Sequence, residues 1–158
     1  MDLGTGPGTQ AIALAKEGFA VTGVDISQLA LDKAMLLAKD NGLTIDFRYD
    51  DIFHSKIDRN FDFVFDRGCF HGVPQEHRPD YIRQVQRLIR PQGYLFLKCF
   101  SHLEPGERGP FRFTPQQILS LFSEYFDIQL IDKTVYHGMR RPLPQALFCV
   151  LLKRNSAI

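Results

Sequence analysis

The sequence has no tryptophan, few cysteines, almost no net charge and no long hydrophobic run. The three cysteines, Cys69, Cys99 and Cys149, are far apart and lack the spacing of a metal site. Their odd number and the lack of a secretory signal predict a reducing, cytoplasmic environment. A net charge of +1 provides no field that attracts nucleic acid or an anionic membrane. No apolar run approaches the about 20 residues of a membrane span, so we expect neither nucleic acid nor membrane as a partner.

The rest of the composition is that of a globular domain with a substantial core. The chain has 158 residues, of which 44% are hydrophobic, and its 14 phenylalanines supply large apolar side chains. We predict a single domain over residues 1–158. Its first strand is predicted to be truncated, because a glycine-rich stretch such as Asp2–Gly8 normally follows a buried strand and here starts directly after Met1.

Hydrophobic periodicity predicts helices and strands in regular alternation. Ser27 and Thr114 are expected to be helix caps, and Gly18 a C-terminal stop. The expected helices cover residues 9–18, 27–42, 78–90 and 114–124, and the expected strands cover 19–24, 43–49, 61–65, 94–100, 126–135 and 146–153. Pro91–Gly93 is expected to form a turn. The alternation predicts an α/β fold with a doubly wound parallel sheet and a strand pair at the C-terminal end.

The glycine-rich stretch points to a nucleoside-containing ligand. Gly4, Gly6 and Gly8 let the backbone approach a ligand closely, and the next helix offers free amides at its N-terminus. The alternative is a tight turn without a ligand. The spacing is Gly-x-Gly-x-Gly, and Thr9 occupies the place of the last glycine in the dinucleotide fingerprint. The pattern therefore disfavours a nicotinamide dinucleotide.

Acidic residues follow the second and third predicted strands, at the sheet edge where ligands bind in such folds. Asp25 is suited to accept hydrogen bonds from both ribose hydroxyls, and Ile26 would then flank the adenine. Asp51 can accept from an adenine amino group, while the Ile52 amide donates to a ring nitrogen. The alternatives are a helix-capping aspartate at Asp25 and an ordinary acidic turn at Asp51.

Asp66, Arg67 and His71 follow the fourth predicted strand and form a second candidate cluster. Arg67 is suited to hold a carboxylate of a cofactor or a substrate, or else it pairs with a neighbouring aspartate. His71 is either a base, a substrate contact or a structural residue. Cys69 has no evident histidine or metal partner in the sequence, and a nucleophilic role is not expected.

Four segments together resemble a known family. Asp2–Gly8 is similar to motif I of class I S-adenosylmethionine-dependent methyltransferases, and Val24–Ser27 to the acidic end of their second strand. Phe61–Gly68, followed by Gly109–Phe111, resembles the thiopurine methyltransferase branch of that family. The resemblance covers most of the chain. It implies a Rossmann-like sheet, mostly parallel with an antiparallel C-terminal strand, preceded in family members by a covering helical segment.

The resemblance also implies roles for individual residues. The loop of Asp2, Gly4, Gly6 and Gly8 would surround the methionine part of S-adenosylmethionine. Asp25 would bind the ribose, and Asp51 with Ile52 the adenine. Asp66 and Arg67 would lie beside the sulfonium and the acceptor.

The reaction that the resemblance implies is methyl transfer to a small-molecule acceptor, with a thiol or a thiopurine-like compound as the candidate. The Asn-Pro-Pro-Tyr-type motif of DNA amino-group methylation is absent after the fourth strand. An oxygen or nitrogen acceptor would need a base, for which His71 and Asp66 are the first candidates. The alternatives are an NAD-dependent oxidoreductase and a non-catalytic cofactor-binding remnant.

Overall fold

Three parallel strands and two helices make up the first of two compact units, residues 1–58. The computed structural model describes residues 1–106 and 108–155. The central strand β2 (Thr22–Asp25) pairs in parallel with β1 on one side and β3 on the other. The other elements of this unit are β1 (Asp2–Leu3), α1 (Thr9–Lys16), α2 (Gln28–Asp40), β3 (Asp46–Tyr49) and a 3-10 turn at Ile52–His54.

Helix α2 forms where the sequence predicts it, for reasons visible at both of its ends. The Ser27 hydroxyl accepts a hydrogen bond from the Ala30 amide at 3.2 Å and so caps the N-terminus. Leu31, Ala34 and Ala38 are buried along one face. The C-terminal cap is Asn41, which Gly42 follows with a φ of 66°. Because the capping residues and the apolar face indicate the same helix bounds, neighbouring residues are enough to determine where α2 begins and ends.

The second unit, residues 59–158, contains a mixed sheet. Strand β4 runs parallel to β5, whereas β8 runs antiparallel to both β5 and β7. The antiparallel C-terminal strand is thereby confirmed. The elements are β4 (Phe61–Asp66), 3-10 turns at Phe70–Gly72 and Gln75–His77, α3 (Arg78–Leu88), β5 (Ile89–Ser101), β6 (Arg112–Phe113), α4 (Pro115–Phe122), β7 (Phe126–Val135) and β8 (Gln145–Lys153).

Aromatic side chains form much of the core of the second unit. Phe70 is fully buried and lies 4.9 Å from the ring of Phe113 and 5.1 Å from that of Phe122, measured between ring centroids. Each buried ring of this kind stabilises the fold by about 1.5–3 kcal/mol. Phe70 belongs to the segment after β4, so this packing anchors a candidate functional loop to the core.

The main difference from the expected elements lies around residues 89–93. The predicted turn Pro91–Gly93 is an irregularity inside β5, where Gln92 has a φ of 60° and the pairing with β4 shifts register between Phe61 and Phe63. A Cβ on Gly93 would lie 2.7 Å from the Asp62 carbonyl, so only glycine fits there. Strand pairing with β4 thus continues through residues that, read locally, indicate a turn.

No helix among the described residues is long and apolar enough to cross a membrane.

Candidate cofactor and acceptor sites

The glycine loop of the first unit has the backbone conformation that its sequence predicts. Gly4, Gly6 and Gly8 have φ values of 66°, 54° and 82°, in the left-handed region that favours glycine. A Cβ on Gly8 would lie 2.8 Å from the Cβ of Ala34, so this glycine lets α1 and α2 approach. A Cβ on Gly6 would meet no described atom within 4 Å. The loop is therefore packed against protein at Gly8 and faces open space at Gly6.

Asp2 stabilises the glycine loop through the Thr5 side chain. Its carboxylate is buried and accepts a hydrogen bond from the Thr5 hydroxyl at 2.6 Å. The Thr5 carbonyl in turn accepts from the Gly8 amide at 3.0 Å. These bonds fix the turn between β1 and α1.

Asp25 lies at the end of β2 and is half-buried. One carboxylate oxygen accepts from the Gly6 amide at 2.8 Å, and the other accepts from the Ser27 amide at 2.9 Å. A carboxylate oxygen can accept more than one hydrogen bond, so each oxygen keeps capacity for a hydroxyl donor. Next to it, the side chain of Ile26 is 65% exposed.

Asp51 caps the 3-10 turn that follows β3. It accepts a hydrogen bond from the Phe53 amide at 3.0 Å, and its other oxygen lies 3.0 Å from Nδ1 of His54. The hydrogen bond with His54 holds the pKa of the Asp51 carboxyl below its ordinary value. The Ile52 amide occupies the first position of the turn, where the geometry provides no acceptor within the turn. It is thus placed to donate to a ligand.

In the second unit, Asp66 is buried at the end of β4 and organises the residues after it. Its carboxylate accepts four hydrogen bonds, from the amides of Gly68, Cys69 and Phe70 and from the hydroxyl of Tyr81. Burial raises the pKa of the Asp66 carboxyl, and burial beside this carboxylate raises the pKa of Tyr81. With both oxygens occupied, Asp66 fixes the conformation of the loop that carries Arg67 and His71.

Arg67 is exposed, and among the described residues none of the ion pairs or hydrogen bonds involves its side chain. The neighbouring-aspartate pairing left open by the sequence is therefore not seen in the described part of the chain. Its charge acts instead on Lys98 of β5, whose pKa is lowered by burial and by Arg67. The guanidinium remains available to an anionic ligand.

His71 is buried and uncharged near neutral pH. Burial lowers its pKa to about 4. Its Nδ1 accepts a hydrogen bond from the Phe100 amide at 3.3 Å and lies 3.5 Å from the Tyr136 hydroxyl. The ring packs 4.7 Å from that of Phe100. Because Nδ1 is occupied and the pKa is low, this imidazole is a weak base.

Lys98 and Tyr136 belong to the same cluster, and neither was assigned a role from the sequence. The Tyr136 hydroxyl donates to the Lys98 carbonyl at 2.8 Å, and the Lys98 ammonium lies 5.1 Å from the Tyr136 ring. Lys98 is the one charged residue in the otherwise apolar run Tyr94–Phe100. A single charged residue within an apolar strand is the sequence pattern that could have identified Lys98 as a candidate site residue.

Arg112 of β6 and Arg140 of the loop after β7 bond to other residues of this unit. Arg112 donates to the carbonyls of Glu104, Pro105, Arg108 and Pro110. Glu104 is buried, accepts from the Gln145 amide at 2.7 Å and pairs with Arg140 at 3.1 Å. These contacts hold residues 104–106 and 108–110 to Arg112, and the loop 136–144 to Glu104.

The first unit has the architecture of a nucleotide-cofactor-binding α/β fold: a glycine loop between strand and helix, and acidic residues at the ends of successive strands. The family of methyltransferase domains matches residues 1–93, more than half of the chain. The chain therefore belongs to the methyltransferase domain family, and the sequence-based prediction of a methyltransferase is confirmed at that level.

Individual relatives agree with this assignment. A ubiquinone biosynthesis O-methyltransferase of Coxiella burnetii is 36% identical over 156 residues, which cover 87% of this chain and 66% of that protein. The chain thus spans slightly less than two thirds of that relative.

Solved structures confirm the Rossmann-like fold. An S-adenosylmethionine-dependent methyltransferase from Methanosarcina mazei has a TM-score of 0.83 at 21% identity, covering 96% of this chain and 90% of that one. A Burkholderia thailandensis 1,6-didemethyltoxoflavin-N1-methyltransferase, solved with its substrate and S-adenosylhomocysteine, has a TM-score of 0.81 at 22% identity, covering 98% and 70%. The names of these two neighbours, and the S-adenosylhomocysteine bound in the second, agree with S-adenosylmethionine, the cofactor predicted from the sequence.

Proposed function

We propose that this protein transfers the methyl group of S-adenosylmethionine to a small-molecule acceptor. The observation that carries the proposal is a set of groups in the first unit that can still accept hydrogen bonds or contact a ligand. Asp25 uses one hydrogen bond per oxygen, Gly6 faces open space, and Ile26 exposes its side chain beside them. These are the groups that a ribose, a methionine chain and an adenine ring require.

Different residues of the first unit bind different parts of the cofactor. The loop of Gly4, Gly6 and Gly8 surrounds the methionine part, with Asp2 supporting it through Thr5. Asp25 binds the ribose hydroxyls and Ile26 flanks the adenine. Farther along, Asp51 accepts from the adenine amino group and the Ile52 amide donates to a ring nitrogen. The bound cofactor supplies an activated methyl group on a sulfonium, whose bond to sulfur breaks as the bond to the acceptor forms.

In the second unit, the roles follow from the hydrogen bonds already present. Asp66 positions Arg67 and His71 through its contacts with the loop amides, because both of its oxygens are occupied. Arg67 orients the acceptor, and His71 contributes a neutral, packed wall beside it. Holding the reacting groups in line supplies about 7–11 kcal/mol of the barrier reduction.

The same geometry favours a soft acceptor over one that must be deprotonated by the enzyme. Asp66 is buried and fully bonded, and burial lowers the pKa of His71 to about 4. The imidazole is therefore a weak base at neutral pH, and the Asp66 oxygens are already occupied by four hydrogen bonds. A thiol, which is partly ionised near pH 8 on its own, needs little help. We therefore propose a thiol or thiopurine-like acceptor, in keeping with the resemblance of Phe61–Gly68 and Gly109–Phe111 to the thiopurine branch.

Calorimetric titration with S-adenosylhomocysteine tests cofactor binding, and NADH provides the comparison for an oxidoreductase. We expect saturable binding of S-adenosylhomocysteine and none of NADH. A panel of aromatic thiols, thiopurines, phenols and amines, each incubated with radiolabelled S-adenosylmethionine, then tests the acceptor class. Binding without label transfer to any compound would indicate a non-catalytic protein, and transfer only to amines or phenols would refute the soft-acceptor proposal.

A further inference from the structure

Lys98 is a half-buried cation with fewer hydrogen-bond acceptors around it than its ammonium can use. Its ammonium donates one hydrogen bond, to the Val135 carbonyl at 2.8 Å, although an ammonium has three donors. It lies over the Tyr136 ring at 5.1 Å, and the Tyr136 hydroxyl is bonded to the Lys98 carbonyl. In the part of the chain that the structure describes, Lys98 has no carboxylate partner.

Strand register places a second cation beside it. Asp66, the last residue of β4, pairs with Leu97 of the parallel strand β5. Arg67 is the first residue after β4, and Lys98 follows Leu97 on β5, so the two residues come close to each other at this end of the strand pair. The pKa of Lys98 is lowered first by burial and then by the charge of Arg67, and the second effect agrees with this proximity.

Two neighbouring cations without a counter-ion repel each other, and partial burial makes the charge of Lys98 more unfavourable. A ligand that brings a negative charge removes both penalties, and a planar carboxylate matches the fork of the Arg67 guanidinium. The neighbours of Lys98 on its own face of β5, Phe96 and Phe100, are aromatic and half-buried. They provide the apolar contact for the body of such a ligand.

We infer that the methyl acceptor carries a carboxylate or a similar anionic group, and that Lys98 together with Arg67 binds this group beside an aromatic wall. The inference rests on the proposed transfer to a small molecule and narrows its substrate class to aromatic anions. Lys98 is a specificity-determining residue in this arrangement. The anionic group serves as an anchor and is distinct from the atom that receives the methyl group.

The first test measures anion binding without turnover. Fluorine NMR titrations compare 4-fluorobenzoate with 4-fluorobenzyl alcohol, which has a similar shape and no charge. We expect the wild-type protein to prefer the benzoate, and Lys98→Gln to weaken benzoate binding about fivefold to tenfold while leaving the alcohol unchanged. Lys98→Arg should retain most of the preference. Lys133→Gln, the same change at an exposed position of β7, is the matched control.

The second test separates the acceptor from the cofactor, whose amino-acid part also has a carboxylate. Calorimetry compares S-adenosylhomocysteine with 5′-methylthioadenosine, which lacks that part. If Lys98→Gln weakens only the binding of S-adenosylhomocysteine, the anion belongs to the cofactor and the inference is wrong. Equal benzoate affinities for Lys98→Gln and Lys133→Gln would also overturn it, once circular dichroism shows that both variants are folded.

A kinetic comparison completes the design. With 4-mercaptobenzoate as acceptor, Lys98→Gln should raise KM several-fold with little change in kcat, whereas 4-methylthiophenol should show neither effect. Because the benzoate titration requires no cofactor, its result stands even if S-adenosylhomocysteine does not bind. Failure of the proposed function and failure of this inference are therefore distinguishable.

Discussion

Ile26 is the exposed apolar side chain next to Asp25, the residue proposed to bind the ribose. It is 65% exposed, directly after Asp25, so truncation removes little that the folded chain itself buries. We expect Ile26→Ala to weaken S-adenosylhomocysteine binding about threefold to tenfold, because the adenine loses an apolar contact worth about 0.7–1.4 kcal/mol. Calorimetry measures the affinity, and urea denaturation checks that stability is unchanged.

The matched control for this change is Leu29→Ala, which truncates another exposed apolar side chain nearby, 67% exposed on α2. It should leave the affinity at the wild-type value. Equal losses for the two variants would mean that the effect is not specific to an adenine contact, and the role proposed for Ile26 would have to be abandoned.

Tyr81 shows how a fully buried residue acts on a loop that it does not belong to. Its hydroxyl donates to the buried Asp66 carboxylate, which also holds the amides of the following loop. Tyr81→Phe removes one donor from a buried charge, so we expect a loss of about 1.5–3 kcal/mol in the free energy of unfolding. Urea denaturation measures it. The surface change Tyr49→Phe, at a 64% exposed position, should stay within about 0.5 kcal/mol.

A positioning role for Tyr81 predicts more than lost stability. If Asp66 orients Arg67, the acceptor KM of Tyr81→Phe should rise at temperatures where the variant remains folded, whereas S-adenosylhomocysteine affinity should not change. A stable variant with wild-type KM would limit Tyr81 to a structural role.

Among the elements, the loop between β7 and β8 is held in part by the buried carboxylate of Glu104. Glu104 accepts from the Gln145 amide and pairs with Arg140, and its side chain is 3% exposed. In Glu104→Ala the amide loses its acceptor and the guanidinium loses its partner. We expect trypsin to cleave this variant between Arg140 and Arg141 several-fold faster than the wild type under native conditions, as followed by mass spectrometry.

Glu124→Ala, which removes an exposed glutamate after α4, is the control and should digest like the wild type. Because cleavage at other sites reports general unfolding, only a selective increase at Arg140 supports the proposal that Glu104 holds this loop in place. If cleavage rises uniformly along the chain, Glu104 contributes to overall stability and not to this loop in particular.

At the scale of the whole molecule, the sequence revealed what is determined by short-range chemistry. Helix α2 was predictable because Ser27, its apolar face and Gly42 lie within a few turns of one another. The glycine loop was predictable because left-handed backbone is open mainly to glycine. Strand β6 was missed since two residues are too short to show a periodicity.

The contacts that join distant residues escaped prediction for a related reason. His71 meets Tyr136 across 65 positions of sequence, and Asp66 meets Tyr81 across 15. No local pattern encodes these pairs. The register of β4 with β5 brings Arg67 near Lys98, and the register of β5, β8 and β7 brings Tyr136 there. The proposed anion-binding pair of Lys98 and Arg67 was therefore not readable from the sequence alone.

The stability of the whole chain should depend on pH through one buried imidazole. The pKa of His71 falls from 6.5 to about 4 on folding, because burial disfavours its charged form. Below pH 6.5 the unfolded chain takes up a proton that the folded chain does not bind, so stability decreases as pH falls towards 4 and is fully present above 6.5. We expect this residue to contribute a loss of about 1–2 kcal/mol between pH 7 and pH 5. Urea denaturation of the wild type, of His71→Gln and of the exposed control His54→Gln measures it: the first and third should lose stability in parallel, and His71→Gln should lose less, whereas three parallel profiles would show that His71 is not the titrating group.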